Sequence, residues 1–118
     1  MENTKLFEEL KSILKEYEGQ LSLAHDKSTN YYLNTSANEK NKKGEFFGAV
    51  QVKKSYIAYH LMPVYYNPEL LDSVSEDLKK RMQGKSCFNF NQENKELLKE
   101  LAEITKTSFE HYKKLGKV

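Results

Sequence analysis

In the opening stretch TKLFEELKSILKEYEG the apolar residues Leu6, Leu10, Ile13, Leu14 and Tyr17 recur at helical spacing, with Phe7 widening the stripe. That period predicts an amphipathic helix with one buried face. Asn3 or Thr4 can cap its start, and Gly19 stands where a left-handed stop is expected. In QLSLAHD the period changes: Leu21, Leu23 and His25 alternate with Ser22 and Ala24, as in a strand with His25 on the leucine side. KSTN reads as a turn and YYLNT as a second short strand. NTSANEKNKKGE has no period and reads as a mobile loop, with a basic binding arm as the alternative.

The run EFFGAVQVKKSYIAYHLMPVYY reads as two strands joined by a two-residue turn at Lys54-Ser55. The turn lacks the usual Asn-Gly signal, so the register follows from the pairs it creates. Val52 opposite Ile57, Val50 opposite Tyr59 and Gly48 opposite Leu61 make one apolar face. Lys53 with Tyr56, Gln51 with Ala58 and Ala49 with His60 make the other. A slip of one residue would mix the two sets. Pro63 has no ladder N–H and ends the regular strand near Met62.

NPELL predicts a short helical turn, capped by Asn67 with Pro68 at the first position. SVSEDLKKRMQG has Ser73 and Glu76 spaced as a capping box, with Gly84 as the stop. KSCFNFN alternates, placing Phe88 and Phe90 on one side and Cys87 and Asn89 on the other. The last segment predicts a long helix with Leu97, Leu98, Leu101, Ile104, Thr105, Ser108 and Tyr112 buried and Phe109 at the stripe's edge. Lys113 and Lys114 close it, as the helix dipole favours. Two striped terminal helices need one apolar sheet face to cover. The expected fold is therefore a single α+β domain over residues 1–118, a two-layer sandwich. A mainly antiparallel sheet of about five strands is covered on one face by the N- and C-terminal helices.

The chain has 118 residues, enough for one domain with a real core. A net charge of +2 is too small to imply a nucleic-acid partner. The basic, tyrosine-bearing run KKSYIAYH could suit stacking against single-stranded nucleic acid, but the balancing acids elsewhere weaken that reading. One cysteine cannot form an internal disulfide. No apolar run reaches the roughly 18 residues of a membrane span, and MENTKLFEEL is unlike a signal peptide. Together these point to the cytoplasm.

Little else looks like chemistry. There is no glycine-rich phosphate loop, HExxH or G-x-S-x-G. Cys87 could act as a nucleophile if its thiolate were favoured by Lys85 and the upstream KKR, with His60 as base. No third, orienting group is visible, and a small strand residue is the simpler reading. Gln51, Lys53, His60, Cys87 and Asn89 share the second sheet face and are candidates for holding a small ligand or partner protein. Whether His60 and Cys87 are adjacent depends on strand order.

FFGAVQVKKSYIAYHLMPVYYNPELL, LKKRMQGKSCFNF and LLKELAEITKTSFEHY together resemble the YdhG-like domain family, over essentially the whole chain, with HLMPVY and GKSCFNF the most specific parts. The resemblance implies a frataxin-like α+β fold. One branch of the family is described as an iron chaperone, so it also implies transient iron, no resident cofactor, and iron–sulfur or haem assembly proteins as partners. Frataxins use an acidic ridge on the first helix and the adjoining strand edge. The carboxylates in matching places here are Glu8, Glu9, Glu16, Glu18 and Asp26, with Lys5, Lys11 and Lys15 interleaved among them. Such mixed charge also suits an exposed, self-neutralising helix face. The expected functions, in order, are iron delivery, a non-enzymatic binding module using the open sheet face, and a thiol enzyme at Cys87.

Overall fold

The computed structural model describes residues 4–35 and 44–118. Helix α1 (Thr4–Lys15) leads into an antiparallel meander of β1 (Ser22–Lys27), β2 (Asn30–Asn34), β3 (Phe46–Val52) and β4 (Ile57–Leu61). Two short helices follow, α2 (Met62–Tyr66) and α3 (Glu76–Lys79), then β5 (Cys87–Phe90) and the long α4 (Lys95–Lys114). The strand order is β1-β2-β3-β4-β5, so sequence neighbours are sheet neighbours throughout. This is the two-layer α+β arrangement that the periodicity predicts, with α1 and α4 packed side by side on one face of the sheet.

The buried layer is built from the predicted stripes. Leu6, Leu10 and Leu14 of α1 and Leu97, Leu101, Ile104 and Tyr112 of α4 meet Leu33, Val50, Ile57, Tyr59, Leu61 and Phe88 of the sheet. Each such side chain contributes about 1.5–3 kcal/mol of burial. Gly48 lets α1 come close: a Cβ there would meet the His60 carbonyl oxygen at 2.9 Å and a Leu14 methyl at 3.0 Å. A fully buried polar tie also crosses the layers. The Thr105 hydroxyl donates to the Leu101 carbonyl at 2.7 Å, so the Tyr59 hydroxyl donates to Thr105 Oγ1 at 2.6 Å.

The β3–β4 register agrees pair for pair with the one argued from residue types, from Val52 opposite Ile57 to Gly48 opposite Leu61. Several terminal signals do not. α1 stops at Lys15, the chain continues through a 3-10 turn at Glu18–Gln20, and Gly19 is not left-handed. The cap of α3 is Ser75, whose Oγ accepts from the Leu78 N–H, rather than Ser73. The chain beyond Leu61 becomes α2, with Pro63 in its first turn, where the missing N–H is harmless. Asn67 precedes the turn Pro68–Leu71 without a side-chain cap. Asn94 is the cap of α4, its Oδ1 accepting from the Leu97 N–H. The proposed Asn3 cap and the core of the polar loop lie outside the described residues.

Candidate functional site

The β3–β4 ladder fixes which side chains face away from the helices. Across β3, β4 and β5 the pairs Ala49–His60–Cys87 and Gln51–Ala58–Asn89 form two adjacent rows on that open face. His60 and Cys87 are thus direct cross-strand neighbours, and the five residues expected on this face stand on it together. The rows continue onto β2 and β1: Tyr32 pairs with Ala49 and His25 with Tyr32, while Asn30 pairs with Gln51 and Lys27 with Asn30. Ala49 and Ala58, at the centre, are small and buried, which leaves their larger neighbours to form the surface.

Two irregularities give this face a character that alternation does not predict. In β1 the register jumps between Leu23 and His25, so Ala24 is an extra residue and His25 moves to the open face. The expectation that His25 lies with Leu21 and Leu23 is overturned by that bulge, because one unpaired residue reverses every later side chain. In β3 the partner of Leu33 is Gly48 and that of Asn34 is Phe46, so Phe47 is the extra residue. Phe47 enters the core against Tyr17, Phe109 and Tyr112, while Phe46 emerges on the other side. There Phe46 stacks on Tyr32 at 4.6 Å between centroids and meets His60 edge-on at 6.4 Å. Tyr32 in turn meets His25 edge-on at 5.6 Å. His25, Tyr32, Phe46 and His60 form a connected row of rings.

Neither Tyr32, which the sequence reads as core-edge packing, nor Phe46 is among the candidate site residues. A signal exists, since two consecutive phenylalanines cannot both enter the core from a regular strand. The face is also segregated in charge. Lys27 and Lys53 flank the rings, and among the described residues no Asp or Glu stands on it. Asp26 points to the helix side, where its carboxylate meets Lys11 at 2.9 Å.

Cys87 is half-buried, and its thiol donates to Asn89 Oδ1 at 3.2 Å, while Asn89 Nδ2 donates to Gln83 Oε1 at 2.7 Å. Burial pushes the thiol pKa up, against a smaller opposing effect of Lys53. Burial, then the charge of Lys53, pushes His60 down. The pair therefore rests as thiol and neutral imidazole, the reverse of the thiolate–imidazolium state of an activated cysteine. His60 Nε2 is closed off from solvent and has no hydrogen-bond partner.

The five carboxylates considered for iron lie on the other layer and already have partners in three cases. Asp26 is held by Lys11, and Glu18 accepts from the Tyr31 hydroxyl at 3.0 Å. Glu9 is pushed up by desolvation and by a hydrogen bond shared with Glu93, and Glu93 is held down by Lys5, which it meets at 3.3 Å. Glu8 and Glu16 are exposed. Among the described residues no three His, Cys, Asp or Glu side chains gather to hold a metal ion, and no helix is long and apolar enough to cross a membrane. Compared with known protein families, with curated proteins and with solved structures, the chain finds no match in any of the three.

Proposed function

We propose that this chain is a binding module rather than an enzyme, and that the open sheet face holds an anionic ligand carrying flat unsaturated rings. One observation carries the reading: two bulges gather His25, Tyr32, Phe46 and His60 into one row on a face where no described Asp or Glu stands. Rings of this kind stack on planar groups of any identity, and the flanking lysines attract negative charge. Side-chain amides beside them add orientation. Gln51 Nε2 donates to Asn30 Oδ1 at 3.3 Å, which leaves the remaining donor and acceptor positions of both amides for a ligand. Nucleotides combine a planar base with a phosphate and are the simplest members of this class.

Adenosine monophosphate titrated into the labelled protein, followed by amide NMR shifts, tests the reading. Shifts concentrated at Tyr32, Phe46, Ala49, His60 and Cys87 support it, and their loss in Phe46→Ala ties them to the rings. Shifts scattered over both layers, or none at millimolar nucleotide, would overturn it. The iron reading has its own arm. Ferrous iron that broadens α1 and Asp26 resonances, and stops doing so when Glu8, Glu9, Glu16 and Glu18 are neutralised, would move the function to the helix layer.

A further inference from the structure

A cleft lies at the β3–β4 turn end of the face, displaced along the strands from the ring row. Between the β3–β4 turn and the chain after α3 lies a hollow of about 300 Å³, lined by Tyr56, Lys80, Arg81, Met82, Asn89 and Asn91 among others. Its far wall is fixed by backbone bonds. The Asn89 N–H donates to the Arg81 carbonyl at 2.8 Å, the Gln83 N–H donates to the Cys87 carbonyl at 2.9 Å, and Met82 bridges to Phe88. Gly84, at φ +81°, makes the turn back into β5. Residues 81–83 thus run along the outer edge of β5, and Arg81 is held beside the sheet.

We infer that this cleft takes the sugar–phosphate backbone of a single strand of nucleic acid whose bases lie on the ring row. The inference rests on the binding reading above and adds a path and a polymer to it. Charge is the first argument. Lys80 and Arg81 stand in the cleft wall and Lys53 and Lys54 in the adjoining turn, and like most lysines of the chain outside Lys5, Lys11, Lys79 and Lys117 they have no ion-pair partner among the described residues. Four such cations close together, at one end of a face on which no described Asp or Glu stands, suit phosphates, and the arginine fork matches their oxygens. The chemistry is also directional. A second hollow of about 330 Å³ on the other side of Lys80 and Arg81 includes Asp77 in its wall, so an anion is drawn to the sheet side.

Length is the second argument. His60 and Tyr56 lie on the same strand side four positions apart, about 13 Å. That exceeds the separation between a base and its own 5′-phosphate, so a ligand that stacks on His60 and Phe46 while filling the cleft must reach beyond a nucleoside monophosphate, as a strand of two or more linked nucleotides does. Tyr56, half-buried at the cleft wall, offers a further ring on the way.

Fluorescence anisotropy with a labelled twelve-residue oligothymidine, at several salt concentrations, tests this. The Lys80→Ala/Arg81→Ala protein should bind about tenfold more weakly at low salt, with the slope of log affinity against log salt reduced by about 1.4, two single-strand phosphates' worth. Phe46→Ala should lower the affinity and leave the slope unchanged. Lys106→Ala, on the outer side of α4, should change neither. A slope unmoved by the double variant, or equal affinity for the mononucleotide and the oligomer, would overturn the cleft assignment while leaving the ring face standing if its NMR shifts persist. Equal affinity for duplex DNA of the same length would reduce the contact to general charge attraction and overturn it as well. No shift at the ring row from either ligand would remove both readings together. Circular dichroism melts of each variant separate these outcomes from loss of fold.

Discussion

Phe46 and Phe47 are consecutive residues on opposite sides of one sheet. Phe47 is fully buried among Tyr17, Phe109 and Tyr112, whereas Phe46 lies half-exposed against Tyr32 and His60. The two layers differ in the same way. On the helix side the large apolar groups are spent on packing and several of the acids are already tied to neighbouring cations or hydroxyls. On the open side rings touch rings, and Lys27 and Lys53 have no ion-pair partner among the described residues. Packing is concentrated on one face and half-exposed rings on the other, and one inserted residue places each phenylalanine on its side.

The division can be broken most sharply at the pair itself. Phe47→Ala should cost about 3–5 kcal/mol, the range for an aromatic removed from a close-packed core, in a urea melt. Phe46→Ala should cost about 1 kcal/mol or less and keep the fold, while abolishing ring-face binding. Comparable losses from the two would erase the division.

Next in size is Gly48, where α1 approaches the sheet. Gly48→Ala forces a methyl against a backbone carbonyl and Leu14 and should cost about 1–3 kcal/mol. Ala58→Gly, on the open side, should cost about 1 kcal/mol or less. Thr105→Val should cost a similar 1–3 kcal/mol by leaving the buried Tyr59 hydroxyl without an acceptor, while Tyr59→Phe should cost about 1 kcal/mol, because Thr105 keeps its bond to Leu101. Equal losses would contradict the donor order given above.

The smallest effect belongs to His60. Burial and Lys53 hold its folded pKa below the ordinary histidine value of about 6.5. As pH falls past that value the unfolded chain takes up the proton first, so stability drops between the unfolded and folded pKa values and is intact above them. Melting temperatures of the native protein should therefore fall between pH 7.5 and pH 5.5 more steeply than those of His60→Gln. Parallel profiles would show that the imidazole titrates freely.

How far the sequence carried this picture depends on what each residue had to specify. The helix stripes and the β3–β4 register were legible because their apolar pairs agree only in one alignment. That register alone placed Gln51, Lys53 and His60 on the open face, and the alternation of KSCFNFN placed Cys87 and Asn89 there. The bulges were not legible. Ala24 and Phe47 carry no local mark of being unpaired, and without them His25 and Phe46 fall on the wrong side. Helix ends were read poorly at Gly19 and Ser73, where a competing turn or a nearer serine served instead. The net charge of +2 says nothing of where the charges stand. It averages over the whole chain, whereas the fold leaves the open face without an Asp or Glu among the described residues. Lys80 and Arg81 were visible only as a basic run, because their place beside the sheet depends on backbone bonds to β5.

The bulge at Ala24 has a bearing on how copies of this protein meet one another. Residues 81–83 shield the β5 border of the sheet, while β1 is the border without a neighbouring strand among the described residues. An even row of free amides and carbonyls there would invite stacking of molecules into extended ribbons. The extra residue breaks that row in its middle, and Lys27 sets a positive charge at its end. The same insertion that turns His25 toward the rings thus interrupts the border on which another copy would have to pair.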